Sequence, residues 1–390
     1  FDDHLPGYRG TLSKNAVTIA EALREAGYHT GMVGKWHIAE TPLRPDQREW
    51  LAHHVYHEEF ADKINYPTHR GFEKFYGTIY GVVNYFDPFS LVEGEEPVRE
   101  VPEGYYVTDD LSQKAVSYVN EYAKDDKPFF LYLSYTAPHW PLHALPEDIE
   151  KYKDTYQVGW EAIREQRYPR INQLGIFPGQ EDFLSQRQFN DKWEDNPTAE
   201  WDARAMAVHA AMVDRMDQGI GRVLEALEKN GQMDNTLIIF LSDNGCSSEQ
   251  CQNYSPGEND RPDMTRDVYP KKKEVMPGPE TSYASLGAKW ANVANTPFRF
   301  WKAKSFNGGI CTPVIAHWPK GLKKSLQGKV TDQMGHVMDI MATCLDLSGA
   351  DYPTSYDGNE LIPLEGKSLV PVLRKGRREG HDYLGVEHLN

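Results

Sequence analysis

The chain has 390 residues, 39% of them hydrophobic and 12% aromatic, which provides for a large folded core and lies far from the composition of a disordered segment. Forty-two Lys and Arg stand against 58 Asp and Glu, a formal charge of −16, and the longest basic run, Lys271 to Lys273, reads as a solvated surface patch, so nucleic acid is not an expected partner. No apolar run reaches the length of a membrane span.

Residues 14–27 place Val17, Ala20, Leu23 and Ala26 at helical spacing, and Gly27 is a natural stop. Residues 28–33 then read as a strand that delivers Gly34-Lys35-Trp36-His37 just past its end. The pattern repeats at 128–135, a continuous apolar run expected to be a buried strand, followed by Ala137-Pro138-His139-Trp140. A long helix is predicted over 203–230, closing at Gly231, and a strand over 236–241 that ends in Ser242-Asp243-Asn244-Gly245. Residues 312–317 predict another strand and 332–347 another helix. Alternating helices and apolar strands specify an α/β fold with a mostly parallel central sheet and helices on both faces. Two segments, 151–200 and 246–290, break that rhythm and read as lids or binding walls.

Ligands of such sheets bind beyond the carboxyl ends of the strands, and the polar clusters fall there. Asp243 and Asn244 offer a carboxylate and an amide oxygen, hard ligands suited to calcium or magnesium, although Asp-Asn-Gly alone is also an ordinary turn. Lys35, His37 and His139 lie at other strand ends and could converge with that pair in one crevice. A metal and several cationic donors around a cleft can hold a tetrahedral oxyanion and stabilise the charge that grows as an ester bond breaks.

The blocks AEALREAGYHTGMVGKWHI, PFFLYLSYTAPHWPLHALPEDIEKY, AAMVDRMDQGIGRVLEALEKNGQMDNTLIIFLSDNG and NTPFRFWKAKSFNGGICTPVIAHWPKG resemble the sulfatase family, in the family's order and over nearly the whole chain. GWEAIREQRYPRINQLGI further resembles bacterial arylsulfatase-like members. The resemblance implies an alkaline-phosphatase-like sandwich, hydrolysis of a sulfate ester of an aryl or carbohydrate compound, a Ca2+ (or Mg2+) site and a formylglycine nucleophile. Asp243 and Asn244 match the family's later metal ligands. Lys35 and His37 match groups that hold nucleophile and sulfate, and His139 a sulfate-binding histidine near the leaving oxygen. Lys302 matches the second catalytic lysine, with Lys304 its rival; Arg299 is a candidate substrate contact that reads first as a surface arginine. Export to the periplasm or the exterior is expected from the family, and the sequence sets no oligomeric state.

The family's Cys-x-Pro-x-Arg or Ser-type nucleophile motif and its early pair of aspartates have no match here; Cys311-Thr312-Pro313 imitates the first half, but Ile315 stands where Arg belongs. The expectation is therefore a catalytic α/β domain at 1–376 without its nucleophile segment, the start of a C-terminal subdomain at 377–390, weak calcium binding and no turnover by the chain as written. Two other functions fit the same residues. One is a phosphodiesterase or phosphonate monoester hydrolase on this fold; the other is a catalytically silent glycan-binding relative. Four cysteines are too few for a disulfide framework; Cys246 and Cys251 could bridge a loop, while Cys311 and Cys344 read as buried thiols. Asn253-Tyr254-Ser255 is a glycosylation sequon, and His336 with Asp339 reads as a structural pair on one helix face.

Overall fold

The structure is a computed structural model and describes residues 10–39, 61–88, 90–177, 184–251 and 275–386. In chain order the elements are α1 (Ile19–Glu25), β1 (His29–Gly34), β2 (Lys74–Thr78), β3 (Leu91–Glu93), β4 (Glu96–Pro97), α2 (Val107–Tyr122), β5 (Phe129–Ser134), α3 (Pro146–Glu150) and α4 (Gly159–Gln173). There follow α5 (Ala199–Lys229), β6 (Ile238–Leu241), α6 (Gly287–Ala294), α7 (Asn307–Ile310), β7 (Val314–His317), α8 (Met338–Ser348), the short pair β8 (Ser355–Tyr356) and β9 (Asn359–Glu360), and α9 (Val370–Lys375).

Helix α1 starts at a capping box: Thr18 Oγ1 accepts the Glu21 amide at 2.9 Å, and Glu21 Oε2 accepts the Thr18 amide at 2.6 Å. It stops where Gly27 turns left-handed at φ 86°. Strand β1 lies between β2 and β5 in a five-stranded sheet of order β4-β3-β2-β1-β5, parallel to both neighbours, with β3 and β4 added antiparallel. Successive β1 side chains enter opposite cores, as the period of two requires. Val33 packs with Tyr118, Leu111, Met212 and Trp290, mainly from α2, α5 and α6; Met32 packs with Ala20, Phe72 and Phe75 on the other face. Helices thus cover both faces, and the parallel strands β2, β1 and β5 end at one edge of the sheet.

Several expectations are corrected. Residues 312–317 form a strand, but β7 runs antiparallel to β6, and these two make a separate ribbon, not further parallel strands of the main sheet. Neither β5 nor the ribbon is fully buried: Tyr132 is 46% exposed and Ile315 62%, since among the described residues β5 pairs only with β1 and β6 only with β7. The predicted helix over 332–347 begins later, at Met338, because the preceding residues extend until Asp339 caps the turn. Segment 151–200 contains helix α4, and α2 is an element the sequence reading passed over. All four cysteines are free, and Cys311 is exposed, contrary to the buried thiol expected of it. The sequon at Asn253 and the Lys271 to Lys273 run lie outside the described residues.

Candidate active site

The site is assembled by strand ends and the glycines that let them approach. Gly34 closes β1 at φ 118°, and a Cβ there would sit 1.9 Å from the Ser134 carbonyl oxygen, so β1 and β5 can meet only at a glycine. The chain then passes between its neighbours: the Lys35 amide donates to Ser134 O at 2.8 Å, Trp36 to Thr78 O at 2.9 Å and His37 to Ile79 O at 3.1 Å. The Trp36 indole is pinned on Asn65 O at 2.8 Å. His37 holds a left-handed φ of 60°, uncommon for a residue with a Cβ, and its ring lies against Gly81, where a Cβ would come within 2.3 Å of it.

His139 is fixed from several sides. Its amide donates to Thr136 O at 3.0 Å, its carbonyl accepts the Tyr85 hydroxyl at 2.9 Å, and ring Nδ1 lies 2.7 Å from Trp140 O. A carbonyl cannot donate, so Nδ1 carries the proton and Nε2 of the neutral ring presents a lone pair.

A backbone seam ties Asp243-Asn244-Gly245 to the Lys302 loop. The Gly245 amide donates to Gly309 O at 2.9 Å, and the Lys302 amide to Cys246 O at 3.0 Å. A Cβ on Gly245 would meet Gly308 O at 1.7 Å, and one on Gly308 would meet Phe300 O at 2.2 Å. Left-handed Phe300 and Ala303 bend the chain on either side of Trp301 and Lys302.

Electrostatics shows which side chains share the space. The Lys35 ammonium is held below its ordinary pKa, chiefly by burial and then by the Lys302 charge, against an opposing pull from Asp243. Burial, then Lys35 and Lys302, push His37 down to about 4. His139 is pushed down to about 3 by burial first and by both lysines, opposed by its bond to Trp140 and by Glu249. Charge effects of this kind come from near neighbours, which puts Lys35 near Lys302 and Asp243, and His37 and His139 near both lysines; with their pKa held this low both imidazoles are neutral at pH 7.

Other candidates fall differently. Lys304 is exposed, whereas Lys302 is the lysine whose charge acts on Lys35, His37 and His139. Arg299 is exposed, stacked over Phe300 and Phe306 with centroid distances of 4.5 and 4.9 Å, and its Nε donates to Gln188 Oε1 at 3.3 Å. Asn244 is half-buried, with Nδ2 donating to Gly245 O at 3.0 Å. Asp243 and Asn244 suit a hard divalent cation in kind, but two oxygens cannot enclose one, and among the described residues no group of three or more His, Cys, Asp or Glu could hold a metal ion. The sequence reading missed Glu249, which stands beside His139 and Lys302; an acidic residue a few positions beyond Asp-Asn-Gly was its only trace.

Comparison with known proteins agrees with the fold. The sulfatase family model matches residues 4–350. An uncharacterized sulfatase of Schizosaccharomyces pombe is 30% identical over 98% of this chain and 68% of its own length. An arylsulfatase of Klebsiella aerogenes is 30% identical over 94% of this chain and 75% of its own. The crystal structure of Ps i-CgsB in complex with k-i-k-neocarrahexaose superposes with a TM-score of 0.56 at 25% identity, over 93% of this chain and 58% of that one. The fold is thus the alkaline-phosphatase-like α/β sandwich, and this chain spans well under two thirds of that solved relative.

Proposed function

The chain belongs to the sulfatase family, and from that membership we propose that the intact protein hydrolyses a sulfate ester, of a carbohydrate or an aryl compound. The observation that supports the reading is the charge influence of Lys35 and Lys302 on both imidazoles, with Asp243 acting on Lys35, and the reading places these groups around one cleft. Lys35 and Lys302 provide positive charge for the oxygens of a tetrahedral anion in a partly desolvated place, where such charge acts most strongly. His37, on its left-handed backbone, is directed at the same space. His139 accepts through Nε2 in its resting form and donates there only after gaining a second proton, which a bound anion favours; until then, aid to the departing alcohol falls to Lys302.

Asp243 and Asn244 would contribute two ligands to a Ca2+ or Mg2+ ion, whose charge would neutralise sulfate oxygens, and further oxygen donors would be needed to complete its shell. A nucleophile is also required, expected to be formylglycine, and none of the 390 residues is assigned that part. Arg299 and the aromatic residues beside it would meet the body of the substrate. The neocarrahexaose bound by the solved relative supports a sugar, and export of the protein is part of the same proposal.

The test is turnover of 4-nitrophenyl sulfate, 4-nitrophenyl phosphate and a phenylphosphonate monoester by the full-length protein, with and without a calcium chelator. Sulfate should be fastest, and chelation should slow it until Ca2+ is restored. Faster phosphate or phosphonate turnover would overturn the choice of ester, and no turnover of any ester alongside retained glycan binding would identify a silent relative.

A further inference from the structure

We propose that Glu249 is a positioning residue for His139, acting through the indole of Trp140. This deepens the sulfatase reading but stands on geometry that does not depend on it. Trp140 Nε1 donates to Glu249 Oε2 at 2.8 Å, and the same oxygen accepts Ser247 Oγ at 2.8 Å. The Trp140 carbonyl is the acceptor that holds Nδ1 of His139, and the two rings lie 5.0 Å apart at 40°. A side chain that fixes the Trp140 indole therefore also fixes the group that selects the His139 tautomer and aims Nε2 into the cleft.

The carboxylate is itself anchored. The Glu249 amide donates to Ser247 Oγ at 3.2 Å, Ser285 Oγ donates to Glu249 O at 2.6 Å, and the Cys251 amide donates to Ser285 Oγ at 2.9 Å. Tyr283 meets Trp140 edge to face at 6.0 Å, and Trp140, Tyr283 and Cys251 form a buried cluster, so the indole has a hard wall behind it and a carboxylate in front. Glu249 acts on His139 as an anion, against the opposing charges of Lys35 and Lys302. Burial favours a neutral Glu249 carboxyl, but its bonds from Trp140 and Ser247, with the Lys302 charge, hold it ionised below the usual range.

The experiment reads the two ring nitrogens of His139 by 15N NMR at neutral pH in the full-length protein, assigned by loss of the signal in His139→Gln. Wild type should show the Nδ1–H form. Glu249→Ala should mix the tautomers, Trp140→Phe, which removes the indole donor and keeps a ring, should do the same, and isosteric Glu249→Gln, which keeps an acceptor, should restore most of the wild-type signal. With 4-nitrophenyl sulfate, Glu249→Ala should lower kcat roughly 10- to 100-fold with KM within about threefold, the range expected for loss of a group that orients a catalytic one. An unchanged 15N signature in both Glu249→Ala and Trp140→Phe overturns the proposal. A wild type that turns over no sulfate ester defeats the functional reading alone, since the tautomer measurement still judges Glu249.

Discussion

Replacing Asp339 by Asn should destabilise the protein by several kcal/mol without touching the cleft. Asp339 is fully buried at the start of α8, and both its oxygens are occupied. Oδ2 accepts the His336 amide at 2.8 Å and Arg378 Nη2 at 2.6 Å; Oδ1 accepts the Lys367 amide at 2.8 Å and His381 Nε2 at 2.7 Å. Burial alone would raise its pKa, but these donors, Arg378 foremost, hold it at about 2 against an ordinary 3.8. At about 1.4 kcal/mol per unit, that depression corresponds to about 2 kcal/mol of stability at neutral pH. The folded pKa is depressed, so this contribution is present above pH 3.8 and fades as pH falls toward 2. The substitution costs more than the linkage figure, because the Arg378 side chain, only 4% exposed, would be left as a buried cation without its anion, a loss of about 3–5 kcal/mol. Urea unfolding at pH 7 measures it. Asp339→Asn should fall by about that amount, and Asp339→Leu combined with Arg378→Met should recover much of it, since removing both charges strands neither. An Asp339→Asn variant within about 1 kcal/mol of wild type would refute the reasoning, because a buried, fourfold hydrogen-bonded carboxylate cannot be that cheap to neutralise.

Lys302→Met should lower kcat/KM for 4-nitrophenyl sulfate by about 100-fold or more, as expected for loss of a preorganised charge, while Lys304→Met stays within about threefold; equal losses would remove the geometric distinction between the two lysines. Gly245→Ala forces a Cβ against Gly308 O, a backbone atom that cannot turn aside, and should cost about 1–3 kcal/mol in urea unfolding and weaken Ca2+ binding by calorimetry. Unchanged stability and metal affinity would mean that the seam between the Asp243 turn and the Lys302 loop gives way freely.

What the sequence made legible follows from how local each signal is. Helix α1 was readable because Ala20, Leu23 and Ala26 recur at helical spacing and Gly27 stops it locally, while its start at the Thr18–Glu21 capping box emerged only from the structure. Strands β1 and β5 were readable as apolar runs, and so was the edge at which their polar ends gather. The sense of β7 was not, since an apolar run looks the same whichever way it pairs, and direction is settled only by which neighbour it meets, here β6 from Ile238↔His317 to Leu241↔Val314. The full burial expected of β5 failed for a related reason: apolarity states what a strand can bury, not how many partners it has.

The cleft divides along the same line. Lys35, His37 and His139 could be named because each lies just past a strand end, a position visible in one dimension. Lys302 lies on no such end; its loop is brought in by Gly245 against Gly308 and by the amide of Lys302 on Cys246 O, contacts between backbones far apart in sequence. The glycines there are legible as letters but not as reasons, since nothing local tells a glycine kept for a turn from one kept because another carbonyl occupies the place of its Cβ. Glu249 is harder still to find, for its importance depends on which indole it meets. A residue that acts by orienting another leaves a mark only in three dimensions, so the groups at strand ends were open to a local reading, Lys302 only through the family resemblance, and Glu249 through neither.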